Sequence, residues 1–177
     1  MSFDFQKNHF QLFGLAPSFE IDASRLDQHY RALQAQVHPD KFAHLSEAEQ
    51  RLAMQQSTLV NEAYQTLRNP LARARYLLKL QGVDTQEETN TAMPLDFLMQ
   101  QMEWREAIAE AARASDAAAL DALEAHLRRE TQSLESRLAG KIDAEHNYAD
   151  AAGLVRKLRF MEKLAEEIHS AYDEIDN

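Results

Sequence analysis

Apolar residues recur along this chain at three- and four-residue spacing, the period of helices that bury one face. A short first helix is expected around Asn8 to Phe13, closed by Gly14 and followed by a loop with Pro17. Asp22 and Ser24 can each cap a second helix, on which Leu26, Tyr30, Leu33 and Val37 fall on one side. That helix must stop before Pro39, because a residue preceding proline is pushed out of the helical region. Ser46 and Glu49 stand in capping-box spacing at the head of a third helix, expected to end near Arg68. Its apolar side is Ala53, Val60, Ala63, Tyr64 and Leu67. The second and third helices should pair antiparallel. Asn69 and Pro70 then supply a cap and a first-turn proline for a fourth helix, Leu71 to Leu80.

The stretch 82–94, GVDTQEETNTAMP, is polar and aperiodic, and it reads as a linker between a domain at 1–81 and another at 95–177. Three longer periodic segments follow. The first spans about Leu95 to Ala114. The second carries Leu120, Leu123, Leu127, Thr131, Leu134, Leu138 and Ile142, a pattern that runs on through Gly140. The third starts near Asn147 and carries Tyr148, Ala151, Val155, Leu158, Ala165, Ile168 and Tyr172. No segment alternates as a strand does and no repeat is present. The expectation is an all-α fold: an antiparallel helical hairpin with short flanking helices, then a three-helix bundle.

One helix of the second domain has two apolar faces. At about 100° per residue, Phe97, Trp104, Ile108 and Ala111 fall within an arc of about 60°, the expected core side. Leu98, Met99 and Met102 lie elsewhere, sharing an arc of roughly 140° with Glu103, Glu106 and Glu110. A bundle helix needs one face for its core, so the second, rimmed by carboxylates, is a candidate docking patch. Methionines adapt to a partner's shape. The competing placement turns Leu98 and Met102 inward and leaves Phe97 and Trp104 outside. On the last helix Phe160 lies roughly 130° away from the stripe, as either an exposed contact or an inter-domain one.

Composition narrows the chemistry. With 45% hydrophobic and 27% charged residues, and no apolar run near membrane-spanning length, the 177-residue chain has the make-up of a globular protein. Its first residues lack the basic and apolar regions of a secretory signal, so a cytoplasmic location is expected. There is no cysteine, which removes thiolate catalysis, thiolate zinc sites and direct cysteine ligation of an iron–sulfur cluster. The seven histidines have no metal-ligand spacing, and neither metal nor cofactor is expected. The net charge of −10 is uneven: residues 1–80 hold 9 basic against 8 acidic side chains, and residues 81–177 hold 10 against 21. The acidic half is a poor match for nucleic-acid phosphates and a better one for a basic or mixed protein partner. No phosphate-binding glycine loop or nucleophile with an oriented base occurs, so an enzyme is not expected.

The sharpest local feature is His38-Pro39-Asp40, in the turn between the two helices that should pair. A proline-stiffened turn presents an imidazole and a carboxylate with little freedom left to lose on docking. HFQLFGL, LDQHYRALQAQVHPDKF and NEAYQTLRNPLARARYLL are similar to the successive helices of the J-domain family. The resemblance implies that His38, Pro39 and Asp40 engage a DnaK-like chaperone and stimulate its ATPase, with Arg31 and Lys41 contributing charge. Asp27 and Gln28 stand where general J-domains carry basic residues, which weakens attraction to an acidic chaperone surface. Together with Phe42, they point to the HscB branch. FLMQQMEWREAI and VRKLRFMEKL resemble the two C-terminal motifs of the HscB family, extending the likeness to the whole chain. That family implies a dedicated chaperone, HscA, and binding of the iron–sulfur scaffold IscU through Leu98, Met99, Met102, Glu103, Glu106, Glu110 and Phe160. The alternative is a general J-domain co-chaperone whose acidic bundle takes a different protein client.

Overall fold

The computed structural model describes residues 4–42, 46–87 and 93–175, and these form seven α-helices with no strand. The chain divides into two compact units, residues 1–81 and 82–177. Part of the expected linker, residues 88–92, lies outside the described residues.

In the first unit, α1 (His9–Leu12) opens on a capping box, with Asn8 accepting from the Gln11 amide at 2.9 Å and the Gln11 side chain returning to the Asn8 amide. The left-handed turn that closes it falls on Gly14 (φ 62°), where no Cβ opposes that conformation. α2 (Ala23–Val37) takes Asp22 rather than Ser24 as its cap. Its last residue gives way to an extended His38 (φ −60°, ψ 125°), as Pro39 demands. One 3-10 turn, Pro39–Phe42, leads toward α3 (Glu47–Arg68), whose capping box is the Ser46 and Glu49 pair. Asn69 closes α3 and caps α4 (Pro70–Leu80), accepting from the Ala72 amide at 2.8 Å.

The α2 and α3 contacts run in opposite chain directions, so the pair is an antiparallel hairpin. Asp27 meets Tyr64 and Arg68, Tyr30 stacks on Tyr64 at 3.9 Å, and Gln34 reaches Asn61 at 2.7 Å. Phe10, Phe13, Leu26, Val60, Leu67 and Leu78 form the fully buried centre. Arg73 is buried too, donating to the carbonyls of Phe19 and Leu67 with its guanidinium over the Phe19 ring, so its charge and donors are answered.

The second unit is an up-down-up bundle of α5 (Leu95–Arg113), α6 (Ala117–Ala139) and α7 (Tyr148–Ile175). Phe97 lies against Phe160, and Arg105 pairs with Glu167 at 3.0 Å, so α5 and α7 run parallel. Tyr172 reaches back to Asp121 at 2.6 Å, and Trp104 packs on His126, which sets α6 antiparallel to both. Aspartate-bonded, the Tyr172 hydroxyl is pushed up to about 12. Leu120, Leu138, Val155, Leu164 and Ile168 lie at the centre of the core. Upstream of α5, the Thr85 carbonyl accepts from Arg156 of α7 at 3.0 Å, so the expected linker is tied down at this point.

Two elements depart from the periodic reading. α6 ends at Ala139, and residues 140–144 form a π-helical turn that still buries Ile142. On α7 the buried set is wider than one stripe, adding Ala152, Leu154, Met161, Leu164 and Ala171, while Ala165 is exposed. A helix packed against two neighbours buries two adjoining faces, and a single-stripe template misses that.

Candidate functional site

The turn between α2 and α3 is held locally. The Lys41 amide donates to the His38 carbonyl at 3.0 Å, and the Asp40 amide approaches His38 Nδ1 at 3.4 Å. His38 Nδ1 stands 3.6 Å from Asp40 Oδ2, with 52% and 90% of the two side chains exposed. Imidazole and carboxylate are thus displayed together at the surface. Lys41 is exposed in the same turn, and Arg31 is exposed on α2 seven residues before His38, two helical turns earlier.

Asp27 plays a different part from the one its charge suggested. Tyr64 donates to its carboxylate at 3.0 Å, and Arg68 lies 3.7 Å away, so Asp27 fastens α2 to α3. That hydrogen bond holds the Tyr64 hydroxyl above the ordinary phenol range. The carboxylate acts mainly inside the hairpin.

On α5, Phe97, Trp104, Ile108 and Ala111 are buried. Met99 is 55% exposed, Met102 is 70% exposed, and Glu103, Glu106 and Glu110 are exposed. Leu98 is half-buried at the edge of this face. Leu95, 72% exposed, extends it: positions 95, 98, 99 and 102 follow the three- and four-residue steps of one helix side. The same spacing was present in the sequence, masked by the position of Leu95 directly after Pro94. Phe160 is neither a freely exposed side chain nor set apart from the bundle. It is half-buried, edge-on to Phe97 with centroids 6.1 Å apart, and Lys163 Nζ lies 6.0 Å from its ring. It backs the α5 face from the neighbouring helix.

The first unit also displays apolar residues that periodicity did not single out. Phe5 and Leu52 are exposed and line a groove of about 640 Å³ with Leu33, Val37 and Phe42, beside the His38 turn. No cluster of three metal-ligating side chains occurs among the described residues.

An antiparallel hairpin that displays a His-Pro-Asp turn defines a J-domain protein, here joined to a three-helix bundle with an acidic, methionine-rich face. Family models agree on both parts: the DnaJ domain matches residues 8–76, and the HSCB C-terminal oligomerisation domain matches residues 93–169. The chain belongs to the HscB family of co-chaperones. It is 54% identical over 175 residues to a co-chaperone protein HscB homolog of Chromobacterium violaceum, covering 99% of each chain. The homolog from Ralstonia nicotianae is 52% identical over 169 residues, with 96% of each covered. Among solved structures, chaperone HscB from Vibrio cholerae is 42% identical with a TM-score of 0.85, over 94% of this chain and 98% of that one. Human co-chaperone protein HscB is 32% identical with a TM-score of 0.88, over 94% and 83%. No described helix is long and apolar enough to cross a membrane.

Proposed function

We propose that this co-chaperone acts in the cytoplasm as a non-enzymatic adaptor in iron–sulfur cluster assembly and transfer. Its second unit binds an IscU-type scaffold protein and delivers it to an HscA-type, DnaK-like chaperone, whose ATPase the His38 turn stimulates. The supporting observation is the presence, on separate units of one chain, of two exposed surfaces of different chemistry. The His38, Pro39 and Asp40 turn, with Arg31 and Lys41, offers a stiff polar contact, and the hydrolytic site is the partner's. Leu98, Met99 and Met102 offer apolar anchors inside a rim of Glu103, Glu106 and Glu110, with Phe160 behind them. Anchors buried at the centre of an interface usually carry most of its affinity, and a charged rim adds rate and selectivity.

Steady-state ATPase measurements on the chaperone, with this chain, with scaffold and with both, test the reading. His38→Gln should lose the stimulation while scaffold affinity and helicity stay unchanged. Met99→Ala with Met102→Ala should keep the stimulation by the chain alone but lose its synergy with scaffold. A folded His38→Gln protein that stimulates normally would remove the turn from the mechanism.

A further inference from the structure

Beside the α5 face, the three helices of the second unit enclose a groove of about 560 Å³ that shares Met99 and Glu103 with it. Phe97, Leu134 and Met161 give it a buried apolar floor. Two cations also line it, Arg137 from α6 and Lys157 from α7. Lys157 Nζ lies 4.9 Å from the Phe97 ring centroid, a cation–π placement that holds the ammonium over the groove floor. Arg137 is exposed. Neither has an ion-pair partner among the described residues.

The unit has twice as many acidic as basic side chains, yet only some of its cations are ion-paired, and Arg113, Arg129 and Lys163 also show no ion pair among the described residues. Arg105 is held by Glu167, Arg128 by Glu124, Arg159 by Glu162, and Lys141 by both Glu145 and Asp150. Around the groove itself the carboxylates of Asp96, Glu103 and Glu130 are within the same lining, yet none pairs with Arg137 or Lys157. The surface therefore combines a run of carboxylates along α5 with two unpaired cations on α6 and α7, beside a single α6 carboxylate, Glu130.

We propose that the groove is the anion-receiving half of the docking face, in which Arg137 and Lys157 take an aspartate or glutamate side chain of the scaffold protein. The inference rests on the scaffold-binding reading and adds the partner's complementary pattern: basic residues opposite Glu103, Glu106 and Glu110, an apolar centre, and a carboxylate at the far edge. Such a pattern fixes orientation. A partner docked in reverse sets its carboxylate against the α5 carboxylates and its basic groups against Arg137, and both juxtapositions are unfavourable. Arg137 suits the task because a guanidinium engages a carboxylate through two parallel hydrogen bonds. Lys157, over an aromatic ring and only half exposed, is partly desolvated already, so its attraction for an anion is screened less than that of a free surface lysine.

Calorimetric titration of the scaffold into the full chain, at low and high salt, tests this. Arg137→Glu should weaken binding by roughly tenfold or more at low salt, with the difference shrinking at high salt. A scaffold variant with one acidic residue changed to lysine should restore binding to Arg137→Glu while binding the parent chain poorly, a rescue that a purely structural role would not produce. Arg137→Gln, a shorter neutral side chain that adds no opposing charge to the groove, should weaken binding in the same direction but less, and an unchanged helical melt for it guards against a folding defect. If Arg137→Glu and Arg137→Gln bind as tightly as the parent while Met102→Ala binds weakly, the groove lies outside the interface and the inference falls, leaving the scaffold reading in place. If all three bind as tightly as the parent, the scaffold docks elsewhere on the chain, and the inference falls together with the assignment of the α5 face.

Discussion

His9 couples protonation to folding of the first unit. Its ring stacks on Tyr76 with centroids 4.1 Å apart, and its backbone amide donates to the Tyr76 hydroxyl oxygen at 3.0 Å. Burial pushes the imidazole below its ordinary value of 6.5, over an opposing pull from Glu62, with Lys79 adding to the lowering. A base whose folded pKa is depressed binds more protons unfolded than folded, so stability falls as pH drops through 6.5 toward the folded value. Thermal melting from pH 7.5 to 5.5 should show a decline that His9→Phe, which keeps the stacking surface, makes shallower. Equal pH slopes for the two proteins would mean that His9 contributes nothing to the dependence. At this scale the sequence was uneven in what it displayed. His38 and Asp40 were legible because proline and its neighbours act locally, whereas the sequence showed only the sign of the Asp27 charge, since nothing local brings Tyr64 and Arg68 to it.

At the scale of elements, α5 carries the proposed docking face because its two sides answer to different neighbours. The buried side was legible from the 3.6-residue period, and the exposed side followed from the same wheel. For Phe160 on α7 the wheel gave only an off-stripe position and not its neighbour, since its partner Phe97 belongs to another helix and the distance between them depends on how α5 and α7 pack. The difference can be measured. Phe160→Ala removes a half-buried aromatic contact and should cost about 1–3 kcal/mol of stability, while Met102→Ala on the exposed side should stay within about 0.5 kcal/mol. Urea unfolding of the two variants decides it, and an equally small loss for both would place Phe160 outside the packing. Replacing Leu98, Met99 and Phe160 together would mix an interface effect with a stability effect. Single changes at Met99 and Met102 are therefore the cleaner probes of docking.

For the molecule as a whole, the absence of cysteine bears directly on the proposed adaptor role. Iron–sulfur clusters are held chiefly by thiolates, so the purified chain should not take up a stable cluster on reconstitution with iron and sulfide. Visible absorption after desalting is the measurement, and a stoichiometric chromophore retained by the chain alone would contradict the docking role. Helix content, caps, the His-Pro-Asp turn and the charge difference between the halves were all readable from the sequence by itself. Each depends on residues within about one helical turn of each other, or on simple counting. Tertiary structure decided the rest: that Asp27 clamps α2 to α3, that Phe160 backs α5 through Phe97, and that Arg137 and Lys157 come to line one groove with Met99. Those groups are separated by some twenty to sixty residues of chain. Their meeting is set by helix packing directions and side-chain volumes, which the one-dimensional pattern of apolar and polar positions does not encode.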